Sequence, residues 1–276
     1  MEKILIMGDL HGNWKHVRDL YQRHPYIFNN QKNTLILLGD AGLNFFFNHR
    51  DQETKKKLGK YPFTYFVVRG NHEERPSICA EKNPDKWHEE SFWGGEVWVE
   101  NDYPYIKYAM DYLSIYDIPY NTDWVTNPEK GCEVQVPLTY RTLVIPGAYS
   151  VDKYRRLQMG WSWFPHEQLS TPEMLSGKEL LDFNNWKVDL VLSHTCPIIY
   201  EPTDFFLSVV NQSTVDKSME RYLGEIEYKL DYRAWLWGHY HQFRDYPRTD
   251  GRYRTMLFND AAIDLREYME GEVNKL

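Results

Sequence analysis

Polar side chains that can bind a metal ion follow five short apolar runs of the chain. Each run ends in Asp, Asn or His, usually beside a small residue. In chain order the endings are Gly8-Asp9-Leu10-His11-Gly12-Asn13, Gly39-Asp40, Arg69-Gly70-Asn71-His72-Glu73, Ser193-His194 and Gly238-His239-Tyr240-His241. Because ligands of open α/β sheets collect outside the carboxyl ends of the strands, we expect these endings to meet at one edge.

The side-chain types in these endings indicate a metal site. Carboxylate, carboxamide oxygen and imidazole are ligands suited to Mn²⁺, Fe and Zn²⁺. The set contains no cysteine, which argues against a closed structural zinc site. Asp9 and His11 are two residues apart, as are His239 and His241. In extended backbone such residues point the same way, so we expect each pair to approach the metal from one face.

The apolar runs themselves predict buried strands, since they are short and rich in Val, Ile and Leu. Short runs of this kind also fit helix, and their length does not decide the matter. The runs are Lys3–Met7, Thr34–Leu38, Phe63–Val68, Thr142–Ile145, Asp189–Leu192, Ala234–Trp237 and Thr255–Phe258.

A helix is predicted between the first two runs, over Asn13–Arg23. Trp14, Val17 and Leu20 recur there at helical spacing, and Asn13 is a suitable N-cap. The resulting order strand, helix, strand predicts a parallel pair of strands with a right-handed crossover.

Three other stretches indicate how the remaining chain is organised. The charged stretch Arg50–Lys60 predicts a solvated helix or loop and not a basic binding patch, because acidic residues stand beside its lysines. The alternating pattern from Trp93 to Val136 predicts β structure with turns. The polar C-terminal sequence EYMEGEVNKL predicts a surface tail or a short final element.

Composition and charge limit the classes of function. With 276 residues, 42% hydrophobic and 26% charged, the chain is typical of a soluble α/β enzyme, and we expect one domain over residues 1–276. The net charge of −8 disfavours binding to duplex nucleic acid, but a small phosphorylated ligand stays open because bound cations invert the local field. The three cysteines form no C-x-x-C pair and the first apolar run is too short for a signal peptide or membrane span, so we expect a cytoplasmic protein with no membrane contact.

The ordered set GDLHGN, GD, RGNHE, SH and GHYH resembles the motifs of the calcineurin-like metallophosphoesterase superfamily. These motifs span residues 8 to 241, and it is their order after successive predicted strands that makes the resemblance specific. The resemblance implies an α/β fold, a four-layer α/β/β/α sandwich with two mixed β-sheets flanked by helices. It also implies a dinuclear metal centre at the carboxyl ends of the strands.

The resemblance further implies a role for each motif residue. The implied ligands are Asp9, His11 and His241 for the first metal, Asn71, His194 and His239 for the second, and Asp40 as the bridge between them. His72 is implied to lie beside the substrate and to protonate or orient the leaving group without binding metal. Arg69 occupies the position of a phosphate-contacting arginine in the Ser/Thr phosphatase branch.

The cofactors implied by the resemblance are two divalent metal ions, with Mn²⁺ foremost and Fe, Zn²⁺, Ni²⁺ or Co²⁺ as alternatives. The implied activity is hydrolysis of a phosphomonoester or phosphodiester by metal-activated water. The acidic charge and the aromatic-rich loops favour a small or nucleotide-like substrate. The alternatives are a Ser/Thr protein phosphatase, a nuclease and a catalytically silent metal-binding scaffold. The sequence GDAGLNF departs from the GDxVDRG of the protein phosphatases, the acidic charge argues against a nuclease, and the complete ligand set argues against a scaffold.

Two further segments contain side chains that could meet a substrate. Gly147–Arg156 follows a strand and is similar to a segment of some bacterial and phage members of the superfamily. It is either a substrate-side loop, in which Lys153, Arg155 or Arg156 meets phosphate, or an ordinary loop with surface charges. Gly160–Pro165 (GWSWFP) is either an aromatic wall that stacks a nucleobase or hydrophobic packing under a loop, and packing is the more frequent fate of Trp.

Overall fold

The computed structural model describes residues 3–25, 28, 33–126, 132–206 and 210–276. Within these ranges, the strands are β1 (Lys3–Met7), β2 (Asn33–Leu38), β3 (Phe63–Val68), β4 (Trp87–Phe92), β5 (Gly95–Glu100), β6 (Ile106–Ala109), β7 (Ser114–Thr126), β8 (Glu133–Ile145), β9 (Leu190–Ser193), β10 (Ala234–Trp237), β11 (Arg244–Asp245), β12 (Tyr253–Met256) and β13 (Ile263–Asp264). The α-helices are α1 (Lys15–Arg23), α2 (His49–Leu58), α3 (Pro76–Lys82), α4 (Lys153–Met159), α5 (Thr171–Phe183), α6 (Ser218–Lys229) and α7 (Leu265–Glu270). Short 3₁₀ turns cover Pro84–Lys86, Ile198–Tyr200, Thr203–Phe205 and Gln212–Thr214.

Two mixed β-sheets form the centre of the fold. The first has the strand order β13-β1-β2-β3-β6-β5-β4 and the second the order β11-β12-β10-β9-β8-β7. The predicted parallel pair is confirmed, since β1 and β2 run parallel with Leu5 opposite Leu35. The pairs β2 with β3 and β9 with β10 are parallel as well, so their carboxyl ends lie side by side, and the metal-binding endings of the sequence follow these ends.

Apolar side chains on both faces of the strands hold four layers together. Between the sheets, Ile6 and Phe66 of the first sheet belong to the same buried cluster as Leu192 of the second. Outside the first sheet, Val17 of α1 packs in a second cluster. Outside the second sheet, Leu223 of α6 packs in a third. Strands that are buried on both faces read as continuous apolar runs, and the expected α/β/β/α sandwich is confirmed.

The predicted strands agree with the structure, with shifts at some boundaries. The run Thr142–Ile145 is the last part of β8, whose first residues extend in a long antiparallel ribbon with β7. The run Asp189–Leu192 is displaced by one residue from β9, and Thr255–Phe258 by two residues from β12. The β structure expected between Trp93 and Val136 is confirmed for the described part of that stretch.

The start of the first helix and the end of the chain can both be compared with the sequence predictions. Helix α1 begins at Lys15, and Oδ1 of Asn13 accepts a hydrogen bond from the backbone N–H of Lys15 at 3.4 Å, so the side chain of Asn13 caps the first turn as predicted. Of the two alternatives for the C-terminal sequence, the short final element is confirmed, because α7 buries Tyr268 and Met269 against the core. These aromatic and apolar side chains supply burial that the overall polarity of the segment masks.

The charged stretch around α2 is less solvated than its composition indicated. Asp51 is buried and its Oδ2 accepts hydrogen bonds from the backbone N–H groups of Phe45, Phe46 and Phe47, at 2.7–3.1 Å. Lys55 is buried and forms an ion pair with the carboxylate of Glu100 on β5. The helix therefore anchors the loop that follows β2. No helix among the described residues has both the length and the apolar character that crossing a membrane demands.

Two glycines allow the strand ends to approach one another closely. A Cβ atom on Gly238 would lie 2.2 Å from Oδ1 of Asp9, and one on Gly70 would lie 2.0 Å from Oδ1 of Asp40. Such distances are far below van der Waals contact, so both positions require glycine. The carboxylate of Asp9 is thus packed against the backbone at Gly238, and the carboxylate of Asp40 against the backbone at Gly70.

We expect the substitution Gly238→Ala to displace Asp9 and to weaken metal binding at least about tenfold, because the added methyl group occupies the place of the carboxylate. The measurement is a titration of the purified variant with Mn²⁺ against a competing chelator. Gly224→Ala on α6 is the matched control, since a Cβ there would first meet the flexible side chain of Ile198 at 3.3 Å. Equal affinity in both variants would contradict the packing argument.

Candidate metal centre

The structure brings the side chains of the five sequence endings together beyond the carboxyl ends of β1, β2, β3, β9 and β10. Ligand atoms of Asp9, His11 and His241 lie within 4.8 Å of one another. The same holds for ligand atoms of Asp9, Asp40 and His194. These overlapping groups lie at the sheet edge that the sequence predicted.

One set of donors converges around His11 and His241. Their Nε2 atoms are 2.8 Å apart. Oδ2 of Asp9 lies 3.4 Å from Nε2 of His241 and 3.8 Å from Nε2 of His11. Oδ2 of Asp40 lies 3.9 Å from Nε2 of His11. Two imidazole nitrogens and two carboxylate oxygens thus surround one point, a donor set suited to a divalent first-row metal.

A second set of donors converges around the side-chain oxygen of Asn71. This Oδ1 lies 2.9 Å from Nε2 of His194 and 3.1 Å from Nδ1 of His239. Nε2 of His194 is 3.6 Å from Oδ1 of Asp40. Asp40 therefore offers one oxygen to each set, which is the geometry required of a bridging ligand.

The hydrogen bonds around the second set leave two acceptor atoms, Nε2 of His194 and Oδ1 of Asn71, facing each other. Nδ1 of His194 lies 2.7 Å from the carbonyl oxygen of Leu38 and must donate to it, so a neutral ring has its lone pair on Nε2. The amide nitrogen of Asn71 donates to Oγ of Ser150 at 2.9 Å, which turns Oδ1 toward that lone pair. Two acceptors this close repel each other unless a cation lies between them. The donor set thus fits a bound metal ion.

Electrostatics within the cluster favour the protonation states that metal binding needs. Burial raises the pKa of Asp40, but the attraction of His72, His194 and His11 outweighs it and holds the pKa below its usual value. Desolvation lowers the pKa of His239 well below its ordinary value. At neutral pH the carboxylate is therefore ionised and the His239 ring is neutral, as metal ligands must be.

Four of the clustered residues have left-handed backbone. The φ angles are 49° at His11, 45° at Asp40, 70° at His239 and 54° at His241. The expectation of extended backbone at the i, i+2 pairs was therefore wrong. Side chains with a Cβ rarely occupy this region, which costs about 1–3 kcal/mol per residue and is found mainly at functional sites. The turns also separate His239 from His241, so that each joins a different set of donors.

Ser150, Glu167 and Trp163 support the cluster from outside and were missed as site residues. Oγ of Ser150 receives the amide hydrogen of Asn71 and donates to Oε2 of Glu167 at 2.5 Å. The indole N–H of Trp163 donates to the same oxygen at 2.9 Å. Ser150 and Trp163 belong to segments that the sequence singled out for their cations and aromatic rings. No sequence pattern singled out Glu167.

His72 lies beside the cluster and contacts Arg156. Its backbone N–H donates to Oδ1 of Asp40 at 2.8 Å, and its Nε2 is 4.0 Å from Oδ2 of Asp40. Nη2 of Arg156 lies 2.7 Å from Nδ1 of His72 and 3.1 Å from its Nε2. Because a guanidinium only donates, the shorter contact makes Nδ1 the acceptor and leaves the ring proton on Nε2. Burial lowers the pKa of His72, Asp40 opposes this, and Arg156 adds to it.

The other predicted substrate residues make their described contacts outside the cluster. Arg69 is buried and donates to the carbonyl groups of Gly70 and Glu167, both at 3.0 Å. Arg155 is exposed, with its guanidinium over the ring of Trp161 at 5.9 Å. Their phosphate-binding role stays a prediction, while the described contacts of Arg156 reach a residue of the site.

The side chains of the GWSWFP segment mostly pack against neighbouring residues. Phe164 is buried and packs edge-on against Phe45. The ring of Trp163 lies under Nζ of Lys153 at 4.2 Å, and half of Trp161 is exposed. The packing interpretation therefore fits Phe164 and Trp163, and stacking of a base on Trp161 stays a prediction.

Two pockets reach the cluster at different ligands. The first, which we name the His72 pocket, has a volume of about 260 Å³, and its lining is His11, Gly12, Gly42, Phe45, Phe46, Arg50, Asp51, Thr54 and His72. The second, which we name the Tyr240 pocket, has a volume of about 310 Å³ and includes His239, Tyr240 and His241 in its wall. The two pockets share no lining residue among those described.

We expect Asp40→Asn to weaken metal binding by about 100-fold or more, because one charge that serves both donor sets is lost. Metal content after dialysis against limiting Mn²⁺, measured by mass spectrometry, gives the result. Asp85→Asn, at an exposed position, is the matched control. If Asp40→Asn retains the metal content of the control, Asp40 is not a bridging ligand.

The support from Ser150 gives a second prediction. Ser150→Ala removes the acceptor that orients the amide of Asn71, and we expect metal affinity to fall about 10- to 100-fold with little change in melting temperature. Chelator competition measures the affinity, and exposed Ser176→Ala on α5 is the control. Unchanged affinity in Ser150→Ala would show that Asn71 is oriented without this hydrogen bond.

Comparison with known proteins agrees with the fold. No curated protein sequence matches the chain. TT1561 of Thermus thermophilus has a similar structure, with a TM-score of 0.50 at 11% identity over 99% of this chain and 97% of that one. A dimetal phosphatase from Danio rerio gives a TM-score of 0.48 at 11% identity, covering 95% of this chain and 92% of that one. Phosphopantetheinyl hydrolase from Mycobacterium tuberculosis gives 0.46 at 11% identity, covering 100% and 95%. The family model of the calcineurin-like phosphoesterases matches residues 2–243, and the chain therefore belongs to that family.

Proposed function

We propose that this chain is a hydrolase that cleaves phosphate esters with water and uses two divalent cations. The observation that carries the proposal is the position of Asp40, whose two oxygens face two separate sets of donors. The implied ligands of the first set are Asp9, His11 and His241, and those of the second are Asn71, His194 and His239. Two bound cations would lower the pKa of an attacking water and neutralise the charge of the phosphoryl oxygens.

The protein residues then have two tasks, which are to orient the substrate and to stabilise the departing oxygen. Phosphoryl transfer depends mainly on positioning and on charge neutralisation, so a covalent nucleophile is not required. His72 holds its ring proton on Nε2, beside Asp40, and we assign to it a hydrogen bond from Nε2 to the departing oxygen, which takes its own proton from water. Arg156 keeps Nδ1 of His72 occupied, so that the ring presents Nε2 to the substrate.

The donor types and the size of the neighbouring pockets support a choice of cation and of substrate size. Carboxylate, carboxamide and imidazole ligands without thiolate suit Mn²⁺, and Fe, Zn²⁺, Ni²⁺ and Co²⁺ share the preference. The pockets beside the cluster, of about 260 and 310 Å³, are at or just below the lower end of the range of about 300–1,000 Å³ found for small-molecule sites. This supports a small or nucleotide-like phosphate ester as the substrate.

The test of the proposed function is hydrolysis of p-nitrophenyl phosphate and bis(p-nitrophenyl) phosphate by protein that has been stripped with chelator and reloaded with Mn²⁺. We expect metal-dependent release of p-nitrophenol, with Asp40→Asn inactive and Asp85→Asn active. Two bound metals per chain with no release from either ester, or from a panel of nucleotide esters, would count against a hydrolase.

Arg156 and Arg155 form a matched pair for testing the assignment of His72. We expect Arg156→Leu to lower kcat about 10- to 100-fold while metal content stays normal, because His72 loses the contact that fixes its ring. Arg155→Leu should change kcat less than about twofold, since Arg155 is exposed and contacts Trp161. Steady-state kinetics with p-nitrophenyl phosphate distinguish the two. A rise in KM alone, in Arg156→Leu, would assign Arg156 to phosphate binding instead.

A further inference from the structure

The Tyr240 pocket contains a buried carboxyl group that the proposed mechanism does not use. Glu220 of α6 is 3% exposed and belongs to the lining of this pocket. Its Oε1 accepts a hydrogen bond from Oγ1 of Thr195 at 2.8 Å. Its Oε2 is buried and has no hydrogen-bond partner among the described residues. Buried polar atoms in folded proteins are almost always paired, so this oxygen is open to a hydrogen bond from a ligand in the pocket.

The neighbouring charges in the pocket are already paired. Nζ of Lys217 lies 2.6 Å from Oε1 of Glu201 and over the ring of Phe206 at 4.6 Å. With this cation engaged by Glu201, Oε2 of Glu220 keeps its capacity to accept a hydrogen bond. Burial raises the pKa of Glu220 to about 7, so its ionised form is well populated at and above neutral pH.

Aromatic side chains form much of the remaining wall. They are Tyr149, Phe205, Phe206 and Tyr240. Rings of this kind stack on a flat, uncharged ring. Glu220 disfavours a second phosphate in the pocket, since its carboxylate repels an anion and the charge of Lys217 is engaged by Glu201. The wall therefore suits an uncharged planar group that carries an N–H donor, which is the chemistry of a nucleobase.

The place of the pocket beside the cluster limits how such a group is attached. The Tyr240 pocket meets the cluster at His239 and His241, whereas the other pocket meets it at His11 and His72. If Nε2 of His72 donates a hydrogen bond to the departing oxygen, the departing group belongs in the His72 pocket. The group in the Tyr240 pocket then stays on the phosphate, and a phosphate with two organic substituents is a phosphodiester.

We propose that the Tyr240 pocket binds a nucleobase-like ring of a phosphodiester substrate, with Oε2 of Glu220 accepting a hydrogen bond from a ring N–H. This inference rests on the proposed function for the phosphodiester part. The recognition of the ring by Glu220 is independent of catalysis. Thymidine is a suitable probe because its base is flat, uncharged and carries one N–H.

Binding tests the recognition of the ring without reference to activity. Thymidine is titrated into the purified full chain, with and without Mn²⁺, and followed by calorimetry. We expect binding to the unmodified chain and at least about tenfold weaker binding to Glu220→Gln, whose amide turns its NH₂ toward the pocket when Oε1 keeps its bond to Thr195. Glu225→Gln on the exposed side of the same helix should bind as the unmodified chain does. Absence of thymidine binding, or equal binding to Glu220→Gln, would overturn the proposal.

Kinetics test the phosphodiester part with a constant leaving group. We expect p-nitrophenyl thymidine 5′-phosphate to be hydrolysed with a kcat/KM at least about tenfold above that of bis(p-nitrophenyl) phosphate, and Glu220→Gln to remove this preference while the second substrate changes less than about twofold. An equal loss for both diesters would overturn the role of Glu220 in specificity. Hydrolysis of p-nitrophenyl phosphate with no cleavage of either diester would overturn the phosphodiester assignment but leave the proposed function standing. Glu220-dependent thymidine binding without any hydrolysis would keep the pocket and reject the proposed function.

Discussion

The structure depends on one buried carboxylate, that of Asp40, which is 1% exposed at the meeting point of three strand ends. An ionised carboxylate in such a place is costly unless hydrogen bonds and opposite charge compensate it. The backbone N–H of His72 provides part of this compensation by a hydrogen bond, and Nε2 of His11 and Nε2 of His194 lie 3.9 and 3.6 Å from the two oxygens, where bound cations would provide the rest. All of these groups crowd around two oxygens, which leaves room on the opposite strand end for a glycine only, at Gly70.

The residues around Asp40 also connect the two sheets. His194 follows β9 and its Nδ1 donates to the carbonyl of Leu38 at the end of β2, so the cluster links one sheet to the other. Asp9 likewise accepts the backbone N–H of His239 from across the interface at 2.9 Å. The apolar core between the sheets stabilises this arrangement, and the left-handed turns at His11, Asp40, His239 and His241 are kept because the surrounding packing outweighs their local strain.

The fold and the clustering of the site residues could be predicted because both depend on short stretches of local sequence. Each ligand directly follows an apolar run, and the carboxyl ends of parallel strands meet at one edge of a sheet. The backbone angles at the ligands could not be predicted from spacing, since i, i+2 pairs fit extended chain as well as tight turns. The contact of Arg156 with His72 joins residues 84 positions apart, and the bond from Ser150 to Asn71 joins residues 79 apart. Neither pair has a periodic pattern from which it could be predicted. The sequence singled out Arg156 as a cation that meets phosphate, which stays a prediction, and gave no indication of its contact with His72.

Residues 147–167 act on both halves of the site through these distant contacts. Ser150 orients Asn71, and Arg156, held by Asp152 at 2.7 Å, contacts His72. Within the segment, the carboxylate of Glu167 accepts a hydrogen bond from the hydroxyl of Ser150. The backbone carbonyl of Glu167 accepts a hydrogen bond from the guanidinium of Arg69, which lies outside the segment. The buried Arg69 thereby connects the end of β3 to this segment by a hydrogen bond. The phosphate contact that its sequence position predicts stays a prediction. A shift of the segment would move the amide of Asn71 and the ring of His72 together, so these two side chains are positioned by a single stretch of chain.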